Sequence, residues 1–145
     1  MQRTHGWMRL AAAVAFVAST GFGGVALAKP KITITSPKAR STVAGPKVAI
    51  KVSVKGYKLV AAGSPIADGE GHLHFFIDVP ASSIKEGEMI PLDQPTKYMH
   101  AGKEPFDSRE LDLAPGKHTI TAVMANSGHL RAAGVPSAKV TFTVK

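Results

Sequence analysis

Apolar and polar residues alternate with a period of two through most of this chain. Ile32 and Ile34 alternate with Lys31, Thr33 and Thr35, and Val48, Ile50, Val52 and Val54 alternate with Ala49, Lys51, Ser53 and Lys55. Leu73, Phe75, Ile77 and Val79 alternate with His72, His74, Phe76 and Asp78, while Leu111 and Leu113 flank Asp112. Ile120, Ala122 and Met124 then alternate with Thr119, Thr121 and Val123, and Val140, Phe142 and Val144 with threonines. Successive side chains of a strand point to opposite faces, so each run predicts a half-buried strand with one apolar face. No window of comparable length carries helical spacing. Ser36-Pro37, Gly45-Pro46, Pro65, Gly69, Gly71, Pro91, Pro95, Pro115-Gly116, Gly128 and Pro136 punctuate the runs. The pattern predicts strand A near 31–35, B at 47–55, C at 72–79, a less regular C′/D region within 86–99, E at 109–113, F at 118–125 and G at 138–144. Such a series describes an all-β, immunoglobulin-like antiparallel β-sandwich of about seven strands. The connection from Gly56 to Gly71 is long for a hairpin.

The N-terminus changes the picture of where this sandwich works. Arg3 and Arg9 precede an apolar run from Leu10 to Val17, loosened beyond it by Gly21, Gly23 and Gly24, and Ala26-Leu27-Ala28 forms a small-x-small site. These are the parts of a secretory signal, so residues 1–28 are expected to be cleaved before Lys29, leaving one domain over 29–145 in the periplasm or secreted. The apolar run is too short and glycine-broken for a spanning helix, so the cleaved chain is not expected to be an integral membrane protein. The absence of cysteine excludes a disulfide framework, so stability must come from a hydrophobic core or a core helped by an ion.

The chain carries 18 lysines and arginines against 10 acids, and Lys29, Lys31, Lys38, Arg40, Lys47, Lys51, Lys55 and Lys58 all precede the first acid, Asp68. Lysines on the wet face and edges of a sheet account for most of this bias. The alternative use of a basic A and B face is contact with an acidic envelope component, in a structural or adhesive role. Nucleic acid is not an expected partner, because no aromatic residues interleave with the lysines.

Five histidines follow the signal: His72, His74, His100, His118 and His129. In an immunoglobulin-like order the B–C, D–E and F–G connections share one end. His72 and His74 open strand C, His100 lies in the D–E connection and His129 in the F–G connection, so four imidazoles converge on that end. Met99, beside His100, is a further candidate. Imidazole with a soft thioether nearby suits copper best and zinc next, so His72, His74, His100 and His129 are the candidate ligands of a copper or zinc ion. The competing reading is that these histidines bond loop carbonyls. Glu70 is a candidate carboxylate partner, whereas Asp78 stands roughly 13 Å along the strand from His74, too far to join. His118 follows a strand and the Pro115-Gly116 turn, where immunoglobulin-like domains hold a corner tyrosine bonded to backbone upstream; it is read as a structural corner residue.

Enzyme chemistry finds little support. There is no cysteine, no G-x-S-x-G elbow, no H-E-x-x-H pattern, and Gly69-Glu70-Gly71 precedes no helix. A non-enzymatic binding module is therefore the expected class.

Four ordered blocks carry a resemblance: Gly71-His72-Leu73-His74-Phe75-Phe76-Ile77-Asp78, Met99-His100-Ala101-Gly102-Lys103, Leu111 to Thr119 with Pro115-Gly116-Lys117-His118-Thr119, and Asn126-Ser127-Gly128-His129. Together they resemble a bacterial family of small exported domains of unknown function, with a GHHHLLID-like strand, an H-x-G segment, a PGKHT turn and a final histidine loop. Leu73 stands where that family has a middle histidine. The resemblance implies an immunoglobulin-like fold and export, and assigns no activity. Pro115-Gly116 leading into strand F, His129 and the ending Val140-Thr141-Phe142-Thr143-Val144-Lys145 are more weakly similar to the periplasmic copper carriers of copper resistance. Those carriers use an N-terminal histidine as ligand, and Lys29 stands at that place here.

Overall fold

A computed structural model describes residues 28–145; the expected signal peptide lies outside the described residues, Ala28 excepted. Among the described residues nine strands form: β1 (Lys31–Ser36), β2 (Thr42–Val43), β3 (Lys47–Lys55), β4 (Lys58–Leu59), β5 (Glu70–Ile77), β6 (Tyr98–His100), β7 (Ser108–Asp112), β8 (Gly116–Ala125) and β9 (Ala138–Val144). Among the described residues no helix is long and apolar enough to cross a membrane.

The alternating runs pair as their apolar faces require. β3 sits between β1 and β7, with Ile32 opposite Val54, Ile34 opposite Val52 and Val48 opposite Leu111. The second sheet runs β2-β9-β8-β5-β4, and β6 adds to the same edge of β5 as β4. Strands A, B and E thus form one layer and C, F and G the other, which is the immunoglobulin-like arrangement. β2 closes the outer edge by running parallel to β9, Thr42 against Thr143. Ile50, Leu73, Phe75, Leu111, Ile120, Met124 and Phe142, none more than 1% exposed, fill the space between the layers.

One expectation fails at β5. Its alternation predicts a wet outer face, yet every residue from Gly71 to Phe76 is buried. The reason lies in the segment after the strand, which folds back over the outer face through a 3-10 turn at Ala81–Ser83. Ile84, Ile90 and Tyr98 there pack on Phe76, Val123 and Ala125 as a second apolar cluster. Tyr98 meets Phe76 edge-on, ring centroids 4.8 Å apart, a favoured aromatic geometry. The Arg131 guanidinium fastens this flap by donating to the carbonyls of Ala81 and Ile84. Of the expected C′/D region only the three-residue β6 is a strand, with an isolated bridge between Met89 and Leu130.

Candidate metal centre

The centre is assembled where β5 begins. At Gly71 an added Cβ would stand 1.9 Å from the Ala125 carbonyl oxygen, so only glycine lets β5 lie this close to the end of β8. That contact sets the register in which His72 faces Ala125 and His74 faces Val123. Two residues apart, both rings project from the outer face, in line with Phe76 and beside the second apolar cluster. Both residues are fully buried. On the other edge of β5, β6 places His100 directly opposite His74.

His129 arrives from the turn after β8. The Asn126 side-chain oxygen accepts from the backbone N–H groups of Gly128 and Leu130, both at 3.0 Å, and the His129 N–H donates to the Asn126 carbonyl. This turn holds His129 in the left-handed region at φ 65°. For a residue with a side chain that conformation is uncommon, and it persists where the surroundings enforce it. From there Nδ1 of His129 stands 3.1 Å from Nε2 of His72 and 3.4 Å from Nε2 of His74, and the two Nε2 atoms are 3.1 Å apart. Three nitrogens from two strand positions and one turn thus form a nearly equilateral triangle. The His100 ring packs against all three, centroids 5.4–6.0 Å away.

Burial holds these rings neutral. It lowers the His72 pKa from 6.5 to about 4, with the positive charge that His129 and His100 would carry adding to it. His74 falls to about 2, again from burial first and then from the charge of its three neighbours. His100 is lowered by burial and then by Arg109, and His129 by burial and then by His100. Neutral imidazole is the form that offers a lone pair. A triangle of three such nitrogens can hold protons between its members or a cation above its centre. Nitrogens about 2.0–2.1 Å from a tetrahedral zinc ion stand ~3.3 Å from one another, so the triangle fits a cation. The buried Nδ1 atoms of His72 and His74 have no protein partner.

The other candidates lie elsewhere. Met99 is corrected: opposite Phe75 in the β5–β6 ladder, it faces the inner layer and packs against the main core rather than the histidines. The alternation of side chains across β6 forces this, since His100 and Met99 are neighbours and must point to opposite faces. Glu70 pairs with Lys58 at 2.8 Å. At the far end of β8, His118 Nδ1 lies 2.7 Å from Asp78 Oδ2 and Nε2 lies 2.8 Å from the Ala114 carbonyl oxygen. The bond to backbone upstream is the corner contact expected of His118. Its Asp78 partner escaped sequence reasoning because the two are 40 positions apart. Burial opposes protonation of His118, but the two acceptors outweigh it and raise its pKa. In the sequence Gly71 reads as a break between runs and Asn126 as part of the last histidine block. That Gly71 lets β5 approach β8 and that Asn126 holds the His129 turn is seen only in the structure, and an Asx turn before a histidine was the available signal for the latter.

Residues 50–145 match the model of a family described as Domain of unknown function (DUF4399). No curated protein matches the chain. Among solved structures, the chain is similar to a structure of the fibronectin(III)-like modules of Clostridium thermocellum CbhA, at 17% identity over 79% of this chain and 96% of that one, with a TM-score of 0.43. It is also similar to an engineered protein, at 15% identity over 83% of this chain and 21% of that one, with a TM-score of 0.49.

Proposed function

The chain belongs to the DUF4399 family, and from that premise we propose that it is an exported, non-enzymatic binding module that captures a zinc- or copper-type divalent ion through His72, His74 and His129. The observation that carries the reading is the 3.1, 3.1 and 3.4 Å triangle of facing nitrogens. Neutral, desolvated imidazoles cost little to bring to the ion, because no proton has to leave them near neutral pH. With Met99 turned into the core, imidazole is the ligand type on hand, which suits zinc as well as copper. The copper-carrier likeness supports copper only as one of these two.

Titration of the purified protein with zinc and with copper(II) by calorimetry tests the proposal. One ion per chain is expected, with affinity at least a hundredfold weaker in His129→Ala. His129 sits on a turn and is partly exposed, so this variant keeps its core. Equal affinity in the two proteins dismisses the site.

A second reading has its own observation. Lys31 stands directly opposite Lys55 on the outer face of the β1–β3 pair, a like-charge pairing that disfavours the sheet. Lys47 is tied to Glu110 and Asp112, whereas among the described residues no acid lies within ion-pair distance of Lys31, Lys51 or Lys55. This face supports contact with an acidic envelope component. Salt-sensitive retention on an anionic polymer, lost in Lys31→Ser with Lys55→Ser, is the expected result; retention unchanged by both substitutions refutes it.

A further inference from the structure

His100 is the one member of the histidine cluster whose nitrogens lie outside the triangle, and its placement is specific. Its ring centroid is 6.0 Å from His72, 5.7 Å from His74 and 5.4 Å from His129. The remaining centroid separations are 5.0, 4.7 and 5.5 Å. Four imidazoles bound to one tetrahedral ion at about 2.0–2.1 Å would put every pair of ring centroids ~5.2 Å apart. The six observed separations bracket that value, so the four rings already stand near the corners of a tetrahedron.

Three features hold the fourth ring there. β6 pairs with β5 so that His100 is the direct cross-strand neighbour of His74. The Arg109 side chain donates to the His100 carbonyl oxygen at 3.3 Å, tying the end of β6 to β7. Gly102 leaves room for the ring: a Cβ at that position would stand 2.8 Å from His100 Nδ1 and 2.6 Å from the Ala62 Cβ. The His100 Nδ1 atom is itself buried and without a protein partner, so the ring is not committed to a hydrogen bond there. Its χ2 is a broad torsion, and a turn about it directs a nitrogen inward.

We infer that His100 is the fourth ligand, which closes the coordination sphere over the His72, His74 and His129 triangle and makes the site an all-imidazole, four-coordinate one. The inference rests on the metal reading above and adds to it. Three ligands and a water make the open arrangement of catalytic zinc, whereas four protein ligands make a closed one that retains its ion. A closed sphere excludes substrate water and small anions from the ion. The module then holds or carries metal and has no position at which to activate a nucleophile.

Cobalt(II) is the probe, because its visible ligand-field spectrum reports coordination number and ligand exchange. The wild-type protein loaded with cobalt(II) is expected to show an intense four-coordinate spectrum that azide leaves unchanged. His100→Ala is expected to keep cobalt with affinity lowered by more than about tenfold, a loss that even outer-shell partners of a metal can cause. Its spectrum should shift on addition of azide, which enters the opened position. Gly102→Ala leaves the imidazole in the chain but displaces it, and should acquire the same azide sensitivity. A wild-type spectrum that responds to azide as readily as that of His100→Ala overturns the closed sphere while leaving the three-histidine site standing. Undiminished cobalt affinity in His100→Ala does the same. Wild-type protein that takes up no cobalt, zinc or copper removes the site altogether.

Discussion

Acidification loads the buried histidine pair more directly than any substitution does. His72 and His74 are fully buried, and their pKa values fall from 6.5 to about 4 and about 2. In the unfolded chain both titrate at their ordinary value, so below it the unfolded state binds protons that the folded state refuses. Stability contributed by the neutral pair is therefore complete above the unfolded value and is lost as pH falls toward the folded ones. Moving from about pH 7.5 to about pH 5.5 takes each unfolded imidazole one unit below its pKa, which costs about 1.4 kcal/mol per residue and about 3 kcal/mol for the pair. That is a large part of the 5–15 kcal/mol that a typical domain possesses, so the urea midpoint should fall sharply. His118 acts in the opposite sense. Its raised folded pKa gives a contribution that is complete below the unfolded value and fades as pH rises through the folded one. Acidification recovers that contribution, so the measurement belongs in a His118→Gln background. Urea unfolding of the metal-free protein at the two pH values, followed by circular dichroism, gives the loss. The double variant His72→Leu, His74→Leu should show a much flatter pH dependence. Stability that stays level on acidification, or a slope unchanged in the double variant, refutes the assignment of neutral, desolvated rings.

Other outcomes follow from the same geometry. Zinc at a hundred times its dissociation constant should stabilise the folded state by about 2.7 kcal/mol and raise the melting temperature by several degrees, an increase absent in His129→Ala; scanning calorimetry reads both. Phe76→Ala, at a position with no exposure, should cost about 3–5 kcal/mol in urea unfolding, whereas a strand with a wet outer face would lose little. Gly71→Ala forces its Cβ against the Ala125 carbonyl, so β5 and β8 must separate; loss of zinc binding together with a lowered melting temperature is expected. Asp78→Ala strips acceptors from His118 and from the Thr119 N–H, which Asp78 Oδ1 binds at 2.7 Å. It should destabilise the protein most below the His118 pKa and progressively less as pH rises, which paired unfolding curves check.

The sandwich was legible in the sequence because a strand's side-chain period is fixed by covalent geometry. Val48, Ile50 and Val52 could meet a core only from one face, and the same holds for Ile120, Ala122 and Met124. The order of the runs then limited which strands could share a layer. A gathering of His72, His74, His100 and His129 could be expected from that order, since it follows from which connections lie at one end. Tertiary structure alone decided on which face they gather. Nothing local in Ile84, Ile90 or Tyr98 announces that they will return over β5, yet this return buries Phe76, the next outward-facing residue of β5 after His74. The same non-local packing decided between Met99 and His100, adjacent residues that a strand must turn to opposite sides. It also set the separations among the facing nitrogens, which depend on the β5–β8 register, on the closeness Gly71 permits and on the left-handed turn at His129. Residue types and their order carry the first kind of information. Distances between residues 55 or more positions apart exist only once the chain has closed on itself.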